Sequence, residues 1–314
     1  MDSNWRYTGA LVKNFFSLML LACMGAFAFS QNVPVTRPAI TGIAGIGLAA
    51  QSLPADRTFY EKTLGWMAAP SIEAPNGLRF YGVPKQWVEV LPATSVDEDP
   101  FRYIAFATTD AKRMRSYLGQ HGVTVPVSVT RWTDGSQGFR VKDPEGNTIE
   151  FIQRGSMQEH SAPDSRAISS QMIHAGFQVH SASVEDNFYK KVLGFRPYWK
   201  GGMRDGVTDF ISIQVPDGTD WIEYMLNVPA NPSHRELGVV DHFSLGVVDI
   251  DTVVAKLSQR GWKPSPASHK QMGRDGKNQL NLYDPDDVRV EFMQLRPTEQ
   301  PCCSPFTGPQ PEPE

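Results

Sequence analysis

Cysteine is scarce in this 314-residue chain, and the three that occur cannot frame a fold. Cys23 lies in an apolar run near the start, while Cys302 and Cys303 are adjacent in a Pro-rich tail. Neighbours in sequence make a poor structural bridge, so this is no disulfide scaffold. The pair reads as part of an incidental tail, with intermolecular pairing or metal capture as the alternatives. Blocks of like charge are also missing: the net charge is −4, and no basic stretch is interleaved with aromatics. That excludes nucleic acid as the expected partner. No P-loop, nucleophile elbow or Gly-rich dinucleotide turn occurs, so the phosphate- and nucleotide-binding turns have no carrier here.

The N-terminal apolar run spans residues 15–29, short of the ~20 residues a helix needs to cross a bilayer. Arg6 and Lys13 precede it, and Ala28-Phe29-Ser30 follows with small residues where a signal peptidase wants them. Residues 1–30 therefore read as a secretory signal peptide, cut after Ser30. This predicts an exported protein, periplasmic or extracellular, with a membrane anchor as the lesser alternative and no stable span after cleavage.

What remains is ordinary globular material, 40% hydrophobic and 20% charged, enough for about two domains. ITGIAGIGLAA (40–50) predicts a strand. SLPADRTFYEKTLGW predicts a helix with Pro54 at its start and Gly65 at its stop. GLRFYGV, QWVEVLP and PFRYIAFATT predict strands, Asp110 to His121 a helix, and QGFRVKDPEGNTIEFIQ a hairpin. Residues 154–170 are polar, aperiodic and linker-like, and the pattern then restarts. FYEKTLGW at Phe59 returns as FYKKVLGF at Phe188, LGQHGV at Leu118 as LSQRGW at Leu257, and KDPEGNTIEFIQ at Lys142 as YDPDDVRVEFMQ at Tyr283. The chain is a tandem duplication in which each copy is itself two βαβββ modules. The tail beyond 296 is rich in Pro, Gln and Glu and is expected to be disordered.

Four residues of the second copy stand out: His174, Glu223, His242 and Glu291. Both the histidines and the glutamates are 68 residues apart (242 − 174 and 291 − 223). Two imidazoles and two carboxylates are a fitting donor set for a divalent metal. A lone strand histidine is usually a satisfied core residue; four donors with this symmetry are not so easily set aside.

The FYxxxLG helix end, the DPE/DPD turn before a strand glutamate, and the paired βαβββ modules resemble the vicinal oxygen chelate superfamily. That group includes glyoxalase I, extradiol dioxygenases and bleomycin-binding proteins. The resemblance implies an α+β fold of two tandem domains, residues 40–154 and 171–296, joined by the 155–170 linker. Each would be a curled, cup-like mixed sheet with helices outside. It assigns His174, Glu223, His242 and Glu291 as metal ligands in the second cup. At the matching positions of the first cup stand Gly45, Glu89, Tyr103 and Glu150, so that site is expected to be metal-free. Strand alternation then adds Gln178, His180, Trp221, Ser244 and Met293 as pocket lining.

The resemblance further implies a small-molecule substrate chelated through adjacent oxygens, with a homodimer allowed. The preferred expectation is lyase or isomerase chemistry of the glyoxalase type on nickel or zinc, with Glu223 or Glu291 moving the proton. The alternatives are an extradiol-type dioxygenase using His174, His242 and Glu291 with iron(II) or manganese, and a metal-dependent binding protein without catalysis.

Overall fold

Every residue of the first strand, β1 (Ile40–Ala50), is buried except Thr41, as befits a strand at the centre of a covered sheet. The computed structural model describes residues 35–83, 86–155, 166–169 and 171–313. The expected signal peptide lies outside them. From β1 the chain runs through helix α1 (Leu53–Thr58), extended by a π-helical turn over Phe59–Leu64, to strands β2 (Met67–Pro70), β3 (Leu78–Val83) and β4 (Gln86–Pro92). The second module repeats the order as β5 (Phe101–Thr108), α2 (Ala111–Gln120), β6 (Thr130–Arg131), β7 (Gln137–Lys142) and β8 (Thr148–Gln153). Asp110 caps α2 by accepting from the Arg113 amide at 2.9 Å, and Gly65 ends the first helix in the left-handed region, φ 79.

The second half contains β9 (Gln171–Gln178), α3 (Ala182–Asp186), β10 (Arg196–Gly201), β11 (Phe210–Gln214) and β12 (Trp221–Met225). An inserted helix, α4 (His234–Val240), precedes β13 (His242–Val247), α5 (Ile250–Gln259), β14 (Lys270–Met272), β15 (Asn278–Tyr283) and β16 (Arg289–Gln294). Each half forms one eight-stranded sheet with the same order, β2-β3-β4-β1-β5-β8-β7-β6 and β10-β11-β12-β9-β13-β16-β15-β14. The central pair is antiparallel and each module closes with a parallel pair, β9 with β12 and β13 with β16 in the second half. The expected α+β architecture of paired βαβββ modules is the one observed. The inserted α4 was not anticipated, although Ser233 and Glu236 form a capping box at its start.

The two halves share one hydrophobic core, with Trp66 beside Phe243 and Phe106 edge-on to Phe195. Within it the repeated motifs grip each other reciprocally. The Tyr60 hydroxyl, from the first FY helix, donates to Asp284 in the second half's DPDD turn at 3.1 Å. The Tyr189 hydroxyl, from the second, donates to Asp143 in the first half's DPEG turn at 3.0 Å. Beside each contact lies a fully buried carboxyl, Asp56 and Glu185 respectively.

Two expectations fail at the C-terminus. The tail is not disordered: Thr298 bonds to Gly276, Ser304 to Lys200, and Thr307 to Tyr198, all through the backbone or short hydroxyls. It runs as a strap along the edge strand β10, because that edge offers unpaired backbone groups and aromatic side chains for Phe306 to cover. Cys302 and Cys303 are disulfide-bonded. Cys303 has a positive φ of 73, a backbone turn that brings the neighbouring side chains together where an extended chain would point them apart.

Removing either clamp hydroxyl leaves a buried aspartate short of a donor, which costs about 1–3 kcal/mol. Tyr60→Phe and Tyr189→Phe should each lower unfolding stability by that amount in denaturant titration; unchanged midpoints in both would contradict the clamp. Burial first, then the neighbouring Asp284 and Asp286, push Asp56 up to about 9. Burial, then Asp143, push Glu185 up to about 8. Because the folded values exceed the unfolded ones, the stabilisation is complete below the unfolded pKa and is lost as pH rises through 8 to 9. The melting temperature should therefore fall between pH 6 and 9, and Asp56→Asn should flatten that fall by roughly 3 °C.

Candidate metal centre

Strand register brings the second-half donors together. On β9, His174 faces Trp221 of β12 on one side and Ser244 of β13 on the other. Two residues along, Gly176 sits between Glu223 and His242. Ser244 in turn is opposite Glu291 of the parallel strand β16. Gly176 is required there: a Cβ would come within 2.1 Å of the His242 ring, which fills the space above the glycine.

The donor atoms converge. His174 Nε2 lies 3.1 Å from His242 Nε2 and 3.3 Å from Glu291 Oε2. Atoms about 2.1 Å from a shared ion lie about 3.0 Å apart at a right angle and about 3.4 Å apart at the tetrahedral angle. The three residues His174, His242 and Glu291 thus form a group that could hold a metal, and it is the one such group among the described residues. Glu223 is outside it. Its Oε2 stands 3.8 Å from His242 Nε2 while its other oxygen accepts from the Ser212 hydroxyl at 3.3 Å.

The electrostatics suit a cation. Burial holds His174 and His242 well below the usual imidazole range, so both are neutral. His242 Nδ1 lies 2.7 Å from the Val240 carbonyl; donating its proton there leaves the Nε2 lone pair facing the centre. Arg289 reaches the same Nδ1 at 2.8 Å, and the two contacts compete for one tautomer. His174 Nδ1 has no hydrogen-bond partner among the described residues. Burial first, opposed by Arg289, raises Glu291 to about 7. Burial, then Glu291, raises Glu223 to about 8. Two neutral imidazoles with inward lone pairs converging on the buried Glu291 carboxyl, with the partly exposed Glu223 close by, are a donor set that fits a divalent metal.

A cavity of about 310 Å³ opens over the centre, within the usual range for a small-ligand pocket. Glu223 and Glu291 form part of its floor, and Tyr198, Trp199, Phe210, Trp221, Met293 and Phe306 give it aromatic and apolar walls. Trp221 stacks on the His174 ring at 4.8 Å. Of the predicted lining, Trp221 and Met293 reach the cavity, and Ser244 is buried between His174 and Glu291 in the ladder. Gln178 and His180 do not. The strand ends at Gln178, so alternation no longer governs His180, whose side chain is 64% exposed and bonded to Glu145 of the first half.

Sequence reasoning missed Arg289, Ser212, Asp275, Lys277 and Phe306. Arg289 is two residues before Glu291, so alternation alone could have found it. Lys277 and Phe306 meet only in three dimensions. Lys277 is fully buried, and burial pulls its pKa down to about 8 against the opposing pull of Asp275, Glu291 and Glu223.

The first cup shows what replaced a metal. Tyr103 stands where the second cup has His242, and its hydroxyl donates to Glu89 at 2.5 Å. Arg79, fully buried, pairs with Glu89 at 3.0 Å. Arg140 pairs with Glu150 at 3.2 Å and covers the Tyr103 ring at 3.9 Å. The Trp87 ring occupies the space a side chain at Gly45 would need. Two guanidinium groups supply the positive charge, and an indole fills the missing imidazole's place.

The sequence profile of the Glyoxalase/Bleomycin resistance protein/Dioxygenase superfamily matches residues 42–151 and 171–292. No curated protein matches the chain. Among solved structures, a mutant of homoprotocatechuate 2,3-dioxygenase from Brevibacterium fuscum is similar in fold at a TM-score of 0.63 and 17% identity, over 88% of this chain and 75% of that one. The same enzyme's anaerobic complex with 3,4-dihydroxyphenylacetate aligns at 0.61 and 17% identity, over 88% and 84%. An extradiol ring-cleaving dioxygenase structure from B. fuscum gives 0.61 and 16%, over 82% and 73%. At these identities the likeness is one of fold. With profile matches in both halves, the chain belongs to the Glyoxalase/Bleomycin resistance protein/Dioxygenase superfamily.

Proposed function

We propose that this protein is an exported, metal-dependent enzyme that opens a small ring bearing two adjacent oxygens, in the manner of an extradiol dioxygenase. The observation that carries this reading is the membership of the donor set: His174, His242 and Glu291 gather as one group, and Glu223 lies outside it. Two histidines and one carboxylate suit iron(II) first and manganese second. A bound divalent metal supplies Lewis acidity toward the paired oxygens and open positions for reactants. The export component rests on the pattern of residues 1–30.

The chain's own residues have definable tasks. His174 and His242, neutral through burial, present lone pairs, and Gly176 keeps the space in which His242 stands. The aromatic walls hold a flat ring and limit water. Glu223 faces the same cavity and is placed to take the hydroxyl proton of an incoming substrate. Arg289 adds positive charge beside the oxygens. A second reading, proton transfer between adjacent carbons on nickel or zinc, is favoured by that position of Glu223, since a carboxylate beside the metal shell is where such a base belongs.

Purified protein should hold about one divalent metal per chain. His242→Ala and Glu291→Ala should lose it in elemental analysis and Gly176→Ala should weaken it, whereas Tyr103→Phe should leave it unchanged. Stoichiometric metal surviving in His242→Ala would overturn the centre. Iron(II)-loaded protein should consume oxygen with catechol, and Glu223→Gln should slow that uptake by about 10²-fold or more. Decay of a hemithioacetal by nickel- or zinc-loaded protein, without oxygen uptake, would put the second reading in place of the first. Inactivity in both assays alongside tight catechol binding would mark a binding protein.

A further inference from the structure

One imidazole nitrogen of the candidate centre is claimed twice. His242 Nδ1 lies 2.7 Å from the Val240 carbonyl oxygen and 2.8 Å from the Arg289 Nη2. A carbonyl oxygen only accepts, and a guanidinium only donates. Burial holds the His242 ring neutral, so it carries a single N–H. Nδ1 serves Val240 when it bears that proton and Arg289 when it does not. The two contacts therefore belong to two tautomers of one neutral ring. In passing from one to the other the ring loses an N–H at one nitrogen and gains it at the other, with no change of charge.

The tautomers differ in what they offer the centre. With Nδ1 accepting from Arg289, the proton sits on Nε2, which lies 3.1 Å from His174 Nε2 and donates to it. Arg289, His242 and His174 are then joined in one hydrogen-bonded chain, and it consumes both lone pairs that a metal would need. With Nδ1 donating to Val240, the lone pair of His242 Nε2 is left for the centre, as in a ligating histidine whose other nitrogen donates to a backbone carbonyl. Two N–H groups would now face each other at the Arg289 contact, so the guanidinium has to leave. The structure gives it room. Arg289 opens β16 two residues before Glu291, is only partly buried, and lines the 310 Å³ cavity. Its Nε has no hydrogen-bond partner among the described residues, so the contact to His242 is a single-point attachment.

We propose that Arg289 is a positioning residue that holds metal-free His242 in the tautomer unable to ligate, and that filling the centre expels the guanidinium from Nδ1 toward the cavity. This rests on the metal-centre reading above. Arg289 then opposes metal binding until Val240 takes its place at the imidazole.

The test is nitrogen NMR of full-length protein labelled in histidine, with zinc as the probe and His242→Gln identifying the His242 signals. Metal-free wild-type protein should show the proton on Nε2, and zinc should move it to Nδ1. Arg289→Met should show the proton on Nδ1 without metal. In competition with a chelator it should bind zinc about tenfold more tightly, the worth of one charged hydrogen bond. Loss of any nearby positive charge could raise zinc affinity, so Lys277→Met is the control: its charge is felt at His174, yet it bonds neither imidazole. That variant should keep the wild-type tautomer. A proton on Nδ1 in metal-free wild-type protein, or the wild-type tautomer persisting in Arg289→Met, would overturn the role of Arg289 and leave the metal centre standing. Failure of wild-type protein to take up zinc would remove the centre and this inference with it. If Arg289→Met does not fold, the two wild-type spectra, with and without zinc, decide alone.

Discussion

The contact on which the candidate centre depends is made far from any donor atom, where Tyr60 of the first half reaches Asp284 of the second. Asp284 accepts from the amides of Asp286 and Val288, both at 2.9 Å, and from the Tyr60 hydroxyl. This fixes the turn that leads directly into β16, the strand carrying Arg289 and Glu291. The first half thereby holds in place a strand of the cup it does not belong to. Through Tyr189 and Asp143 the second half returns the contact to the strand bearing Glu150. A shared core and two reciprocal clamps make each half part of the other's support.

Duplication on such a frame lets one cup lose its chemistry while the frame persists. In the first cup, Arg79 and Arg140 neutralise Glu89 and Glu150, and Trp87 and Tyr103 fill the positions of the imidazoles. Burying unpaired carboxylates is costly, and pairing each with a guanidinium through charged hydrogen bonds removes most of that cost. The second cup keeps its carboxyls without such pairing. There Arg289 and Lys277 act on the carboxyls only across space, two neutral imidazoles and Glu291 converge, and the walls leave room for a ligand.

Much of the fold was legible because the repeat wrote it twice. Apolar alternation located β1, β5, β8 and their counterparts, and the FYxxxLG and DP motifs located helix ends and turns. His174, His242 and Glu291, which the structure gathers into one group, stood out in the sequence through the 68-residue symmetry, together with Glu223, which lies outside that group. The short strands β2 and β6 carry little pattern, and β6 is exposed throughout. His180 was misplaced because alternation was carried past the end of its strand. The C-terminal strap was misread because composition reports the cost of ordering Pro-rich chain but not the edge strand and aromatic side chains that repay it.

The sequence by itself determined the module order, the duplication, and which cup retained two imidazoles, since these depend on residue identity and on separations along the chain. The tertiary structure decided that three donors converge while Glu223 stands apart, that the FY helices grip the opposite half, and that Lys277 meets Phe306 under one ring of the cavity wall. Those relations join residues distant in sequence through sheet register and side-chain direction. Local periodicity can say which face of a strand a side chain takes, but not what another strand, or a returning tail, places against it.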